Sequence, residues 1–248
     1  MRKVVLVTGG SRGIGAATCI LAAQKGWDVA VNYTSNAKAA EDVVQQVKAA
    51  GARAMSVQAD VAHEDQVLAM FKKVREELGP LQGLVNNAGV VDVSARLDEM
   101  SMARWRRMFD INVLGSMLCA REAILQMSTK HGGQGGSIVN LSSAAARLGS
   151  PGQYLDYAAA KGAIDSFTLG LAKEIAGEGI RVNAIRPGLI DTEIHASGGL
   201  PNRVKDLEHL VPAKRGGSAM EVAQAIVWLL SDEASYTTMS LIDVSGGR

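Results

Sequence analysis

The chain is poor in cysteine, in aromatic side chains and in net charge, and each shortage removes a class of function. Its two cysteines, Cys19 and Cys119, stand far apart in helix-like apolar stretches and belong to no Cys-x-x-Cys or Cys/His pattern. That argues against a disulfide scaffold and against a zinc site, and no metal is expected. A formal net charge of +1, with no long like-charge block, argues against binding driven by a nucleic-acid backbone. The best basic patch, Arg104, Arg106 and Arg107 around Trp105, has no recurring aromatics to stack bases and reads as the solvated or interface-facing side of a helix. Long hydrophobic runs are missing too. The apolar run after Met1-Arg2-Lys3 stops at Thr8, too short for a signal peptide, and no stretch approaches membrane-spanning length. The expectation is a soluble protein of a reducing compartment, most simply the cytoplasm, with neither nucleic acid nor membrane as partner.

What the chain has is 47% hydrophobic residues over 248 positions, enough for a large core. Short β-branched runs alternate with longer amphipathic stretches, the mark of a parallel sheet covered by helices. Strands are expected at Lys3–Thr8, Asp28–Asn32, Arg53–Gln58, Gly83–Asn86, Gly136–Ser142, Ile180–Ile185 and Ser240–Val244, where Val, Ile and Leu run nearly continuously. Helices are expected at Ile14–Lys25, Ala37–Ala50, His63–Leu78, Met102–Ser128, Tyr154–Ala176 and Ala219–Leu230. No linker rich in Pro, Gly and Ser divides the series. Residues 1–248 therefore read as a single doubly wound α/β domain with a seven-stranded parallel sheet. Ser197–Arg203 looks like part of a longer surface insertion.

Two features carry chemistry. Thr8-Gly9-Gly10-Ser11-Arg12-Gly13-Ile14-Gly15 follows a strand and opens a helix. Glycines there allow a tight turn and let the backbone approach a pyrophosphate, whose charge the helix N-terminus favours through its free N–H groups and dipole. Farther along, Tyr157 and Lys161 stand one helical turn apart. A phenol has an ordinary pKa of about 10, so acid/base work near neutrality needs a positive charge beside its phenolate. An ammonium at i+4 shares the face of the phenol, and an oxidised nicotinamide would add a second charge. The spacing alone is weak, since chance supplies it in about one such chain in five or six.

The Thr-Gly-x-x-x-Gly-x-Gly spacing and several later motifs resemble the short-chain dehydrogenase/reductase family over essentially the whole chain. The resemblance implies a Rossmann fold and a nicotinamide dinucleotide. It implies cofactor contacts from Gly9, Ser11, Arg12, Gly13, Ile14 and Gly15, from Asp60 and Val61 at the adenine, and from Asn87, Ala88 and Gly89 after the fourth strand. Pro187, Gly188, Ile190 and Thr192 match the loop at the nicotinamide carboxamide, and Tyr157 and Lys161 complete the set. The implied catalytic residues are Asn112, Ser143, Tyr157 and Lys161. Tyr157 exchanges a proton with a carbonyl or alcohol oxygen. Lys161 lowers its pKa and holds the nicotinamide ribose, Ser143 orients the carbonyl, and Asn112 links Lys161 to a proton-relay water. Moving the phenol about three units toward neutrality requires about 4 kcal/mol. Two departures stand out. The family commonly places its serine one residue nearer the tyrosine than Ser143 stands here, so Ser142 remains an alternative. Met239 replaces a glycine often found before the last strand. In the family, the helices carrying the Asn and Tyr often form a four-helix bundle between subunits, which implies a homotetramer.

Cofactor preference follows from charge. NAD-specific sites place an acid at the end of the second strand, whereas this region reads Asn32-Tyr33-Thr34-Ser35-Asn36. With Arg12 able to fork onto a 2′-phosphate, NADP(H) is expected over NAD(H), which remains possible. The substrate is a small carbonyl or alcohol compound. The pattern is similar to members labelled sugar or polyol dehydrogenases and 3-oxoacyl-carrier-protein reductases, and loops near Val90–Leu97, Ala144–Leu155 and Thr192–Arg215 would choose between them. Arg12, Arg203, Lys205, Lys214 and Arg215 are candidates for a basic mouth. Asp92, Arg147, Gln153, Tyr154 and His195 flank the expected cleft as substrate contacts or rim residues. The stripe Trp105, Met108, Phe109 and Ile111 reads as packing, part of it at an oligomer interface. The rival class is a dinucleotide-sensing binding protein without turnover, disfavoured because Asn112, Ser143, Tyr157 and Lys161 are all present.

Overall fold

The computed structural model describes residues 2–248; Met1, which opens the N-terminal stretch weighed above as a leader, lies outside the described residues. The strands are β1 (Lys3–Val7), β2 (Trp27–Tyr33), β3 (Ala54–Gln58), β4 (Leu81–Asn86), β5 (Gly136–Leu141), β6 (Ile180–Pro187), β7 (Ile190–Asp191), β8 (Gly217–Ser218) and β9 (Leu241–Val244). The helices are α1 (Gly13–Gln24), α2 (Ala37–Ala49), α3 (Glu64–Leu78), α4 (Met102–Phe109), α5 (Gly115–Met127), α6 (Ala145–Leu148), α7 (Leu155–Ile175), α8 (Ile194–Ser197), α9 (Arg203–Leu207) and α10 (Ala219–Leu230). Seven strands form one parallel sheet in the order β3-β2-β1-β4-β5-β6-β9, the Rossmann arrangement expected from the alternation.

Strand alternation assigns the two core layers. Val4 and Leu6 of β1 point to the layer shared with α3, α5 and α7, where Val67, Phe71, Cys119 and Ala172 are buried. Val5 and Val7 point to the opposite layer, shared with α1, α2 and α10, among Cys19, Val43, Val222 and Ile226. Because both faces are covered, β1 reads as an unbroken apolar run. From β1 the chain winds one way to β2 and β3 and the other way to β4, β5 and β6. The carboxyl ends of β1 and β4 therefore diverge, leaving the crevice in which such folds place their ligands.

Two local expectations are revised. The helix expected over Met102–Ser128 is interrupted by a π-helical turn at Asp110–Leu114, between α4 and α5. Asn112 sits in that turn, its side chain engaged with the backbone of Val90 and with the Met108 carbonyl, and such turns recur at functional sites. Ser197–Arg203, read as part of a longer surface insertion, is a mostly exposed connection from α8 to α9 within the segment between β7 and β8. Arg104, read with Arg106 and Arg107 on a solvated or interface-facing side of a helix, has a side chain only 9% exposed within the chain, whereas Arg106 and Arg107 are exposed.

Candidate active site

The floor of the site is the turn between β1 and α1, and side-chain amides lock it in place. Thr8 Oγ1 donates to the Val85 carbonyl at 3.2 Å and accepts from the Asn87 and Ala88 N–H groups at 3.0 Å each. Asn87 Nδ2 donates back to the Thr8 and Gly9 carbonyls at 2.8 and 2.9 Å. Asn32, buried at the end of β2, accepts from Gly9 N at 3.1 Å and donates to the Val57 and Ala59 carbonyls at 3.3 and 3.0 Å. The ends of four strands are thus tied into one rigid rim. Sequence reasoning missed the part played by Asn32, although a polar residue closing the run Val29-Ala30-Val31 was a usable signal.

Two glycines show why the turn needs them. Gly9 has φ 60°, and a Cβ there would stand 3.0 Å from Ala88 Cα. A Cβ at Gly15 would collide with the Gly9 carbonyl oxygen. Arg12 precedes α1 as its N-cap with no side-chain cap, and the first turn holds no acid. The N–H groups opening α1 are therefore left for an acceptor outside the helix. Arg12 itself is exposed and has no ion-pair partner among the described residues.

The facing wall comes from β5, α7 and the π turn. Ser142 is buried and its hydroxyl donates to the Lys161 carbonyl at 3.1 Å. Ser143 Oγ accepts from Ala145 N at 3.1 Å instead, and the residue borders the same cavity as Tyr157. Tyr157 packs against Met108, Val113 and Ala160. Lys161 is buried, 4% exposed, with Nζ 5.5 Å from the centroid of the Tyr157 ring and donating to the Leu141 carbonyl at 2.6 Å. A Cβ on Gly89 would sit 2.8 Å from Asn112 Oδ1 and 3.6 Å from Lys161 Nζ, so Asn112 and Lys161 approach the same glycine.

Burial dominates the titration of this pair. It pushes the Tyr157 phenol above its ordinary value, with the Ser143 hydroxyl acting against it. It pulls Lys161 down to about 8, with Asp165 one turn on opposing. Asp165 is itself held by Arg186 at 2.8 Å. The lowering of the phenol expected from Lys161 is therefore not what the protein's own groups produce. Desolvation disfavours the charged form of both residues, and the ammonium spends a proton on a backbone carbonyl.

These residues enclose a cavity of about 440 Å³. Ile14, Asn87, Gly89, Ser143, Tyr157, Lys161, Pro187, Gly188, Ile190 and Thr192 line it, as do Ser142, Gln153, Tyr154 and His195. Asn112, Gly9, Ser11, Arg12, Gly13, Gly15, Asp60, Val61 and Ala88 lie outside that lining. Gly13 nonetheless faces Thr192, whose Cγ2 would be 3.4 Å from an added Cβ. Asp60 closes a local turn through Ala62 N at 3.0 Å, and Val61 is buried against Gly115. Asp92 and Arg147 pair elsewhere, with Arg107 and Asp243.

Sequence reasoning also missed what holds the start of α7. Arg104 reaches across from α4 to Asp156 through bonds of 2.7 and 3.1 Å, and a third guanidinium nitrogen donates to the Val93 carbonyl at 2.6 Å. Asp156 Oδ1 also accepts from Tyr157 N at 2.9 Å. No signal local to Arg104 separates it from Arg106 and Arg107; only its partner, 52 residues on, does.

Residues 9–248 match a family model described as enoyl-(acyl carrier protein) reductase. An uncharacterized oxidoreductase of Escherichia coli strain K12, YgfF, is 54% identical over 245 residues, 99% of each chain. The structure of a mutant short-chain dehydrogenase/reductase from Serratia marcescens superposes with a TM-score of 0.90 at 31% identity, covering 99% of this chain and 97% of that one. The chain belongs to the short-chain dehydrogenase/reductase family. Among its relatives there, the 3-oxoacyl-[acyl-carrier-protein] reductase FabG of Staphylococcus aureus is 38% identical over 248 residues, all of this chain and 98% of the other. As a short-chain dehydrogenase/reductase it is an oxidoreductase of a family that uses nicotinamide cofactors. The side-chain-free backbone at Gly9 and Gly15, the uncapped α1 and the adjoining cavity fit such a dinucleotide. Among the described residues no helix is long and apolar enough to cross a membrane, and no three His, Cys, Asp or Glu side chains group as metal ligands.

Proposed function

We propose that the protein is an NADP(H)-dependent oxidoreductase that moves a hydride between nicotinamide and a carbonyl or secondary alcohol carbon, with Tyr157 as general acid and base. The observation that carries the reading is the convergence of Tyr157, Ser143 and Lys161 on one cavity that Ile14, at the uncapped start of α1, also lines. When bound, the nicotinamide supplies or accepts the hydride. Tyr157, held protonated by burial, donates its proton to the carbonyl oxygen as charge develops there, and takes it back in the reverse direction. Ser143 donates a hydrogen bond to the same oxygen and orients it. Ser142 is not assigned this task because its hydroxyl is used on the Lys161 carbonyl. Lys161, at about 8, remains mostly charged at neutral pH and stabilises the phenolate once the proton has left. Asn112 holds the Val90 segment beside Lys161 and completes the proton path.

Gly9, Ser11, Arg12, Gly13, Ile14 and Gly15 would hold the phosphates and Asp60 and Val61 the adenine. Asn87, Ala88 and Gly89 would support the nicotinamide ribose with Tyr157 and Lys161, and Pro187, Gly188, Ile190 and Thr192 would hold the carboxamide. The preference for NADP(H) over NAD(H) is supported by the exposed, unpaired Arg12 and by the absence of any acid from Asn32 to Asn36. Residues 1–248 act as one dinucleotide-binding domain in a cytoplasmic enzyme. Exposed Phe109, Leu114 and Met117 along α4 and α5 support a homotetramer built on that face.

The test is NADPH oxidation across sugars, diketones, aldehydes and 3-oxoacyl thioesters. Tyr157→Phe is expected to lose about 10²- to 10⁴-fold in kcat while NADPH binding persists. A wild-type protein that binds NADPH yet reduces nothing would favour dinucleotide sensing. Arg12→Ala is expected to reduce the preference for NADPH over NADH by about tenfold, and an unchanged ratio would remove the 2′-phosphate assignment.

A further inference from the structure

The wall of the cavity built by the loops after β5 and β7 narrows the choice of substrate. Arg203 opens α9 and turns inward rather than toward solvent. Its Nη2 donates to Gln153 Oε1 at 2.8 Å, and its Cζ lies 5.1 Å from the centroid of the Tyr154 ring. Its Nη1 is buried with no hydrogen-bond partner among the described residues. The other buried side-chain atoms in that condition, on Asn86, Trp105 and Asp165, belong to residues away from the cavity lining; Arg203 is part of it. An unmet guanidinium donor is unfavourable, and because Arg203 lines the cavity, an acceptor placed there could satisfy it through a small shift of the side chain.

The charge of the lining has one sign. The lysine and arginine side chains Lys161, Arg203 and Arg248 contribute to it, and no Asp or Glu side chain does. His195 Nε2 is hydrogen-bonded to the Ile190 carbonyl at 2.8 Å. Burial lowers its pKa, and Arg203 lowers it further by repulsion. Apolar Val91, Leu148 and Ile194 lie on the same lining. The cavity therefore offers a fixed cation beside an apolar surface. The partners named for Arg203 all come from the segments after β5 and β7, and none from the glycine turn.

We propose that Arg203 binds an anionic group, a carboxylate or a phosphate, carried by the carbonyl substrate itself. The proposal rests on the reading of this cavity as the site of carbonyl reduction. Tyr154 and Gln153 hold the guanidinium beside the cavity, and an anion there would draw Nη1 toward it to donate a charge-assisted hydrogen bond. A neutral isostere would leave that donor unmet, the situation in which a site rejects an analogue most strongly.

The experiment compares matched pairs on the NADPH-loaded protein: 2-oxo and 3-oxo acids of short to medium chain against their amides, and dihydroxyacetone phosphate against dihydroxyacetone. The anionic member of at least one pair is expected to be favoured by about 100-fold in kcat/KM, mostly through KM, and which pair responds tells carboxylate from phosphate. Arg203→Gln is expected to bring that ratio close to unity, and Arg203→Lys to restore part of it. In parallel, ring resonances of His195 in the NADP⁺ complex report binding without turnover. The anion should raise the His195 pKa in the wild type, and its neutral partner should not. Equal preference for anion and neutral partner in every pair, or a ratio unchanged in Arg203→Gln, overturns the proposal. Weaker NADPH binding in Arg203→Gln with the ratio intact also overturns it, by assigning the arginine to the cofactor. Selective anion binding through Arg203 with no reduction of any compound would leave this site standing and sink the reductase reading instead.

Discussion

The wall of the cavity under the glycine turn is closed by short-range locks among strand ends, whereas the wall opposite hangs on a few long side chains. Thr8, Asn32 and Asn87 spend their side chains on neighbouring backbone, and neither Gly9 nor Gly15 has room for a side chain. Across the cavity, the start of α7 is pinned by Arg104 to Asp156, and the α9 segment by Arg203 to Gln153. There the chain also uses left-handed backbone at Gly149, Ser150 and Gly152 to reach Tyr154. A rim locked to strand ends suits an invariant ligand such as a dinucleotide. Loops held from outside can change their lining without disturbing the sheet.

Two variants test that contrast and a third lies outside it, in falling order of expected effect. Arg104→Met leaves the Asp156 carboxylate buried, the pair being 9% and 2% exposed. Stability should fall by about 3 kcal/mol, roughly 6–12 °C in Tm, with kcat reduced through Tyr157 and NADPH affinity kept. If NADPH affinity fell as steeply as kcat, the two walls would not be independent. Gly15→Ala should do the reverse. Its Cβ meets backbone at Gly9 and Gly10, and the strain, about 1–3 kcal/mol, falls on the cofactor rim. Isothermal titration should find NADPH binding weakened about tenfold or more; unchanged binding would show that the rim has slack. The smallest effect belongs to neither wall. Met239 carries φ 64° and is 40% exposed, so Met239→Gly should gain about 1 kcal/mol in denaturant unfolding without altering kinetics. A loss of stability would mean that the Met239 side chain contributes more than its backbone strain removes.

The departures from sequence expectation fall along the same line. The strands, the helices and the glycine turn were readable, because alternation, helical periodicity and glycine spacing are properties of neighbours in the chain. Met239 stood out as an unusual residue, and it proves to occupy a left-handed position. Arg104 was indistinguishable from Arg106 and Arg107, since depth depends on where α7 lies. The π turn around Asn112 was invisible inside an otherwise continuous helical pattern, because it answers to Val90 on another segment. The different bonds made by Ser142 and Ser143 depend on how the end of β5 turns against α7, which neighbours in the chain do not reveal.

By itself the sequence determined the doubly wound sheet, the position of the glycine turn, and the pairing of Tyr157 with Lys161 on one helix face, all of which follow from short-range geometry. Only the tertiary structure decided the direction in which burial shifts the pKa values of that pair, the inward turn of Arg203 and the buried clamp between Arg104 and Asp156. Desolvation and the matching of one charge to another depend on what surrounds a group in space, and residues brought together from distant parts of the chain supply those surroundings.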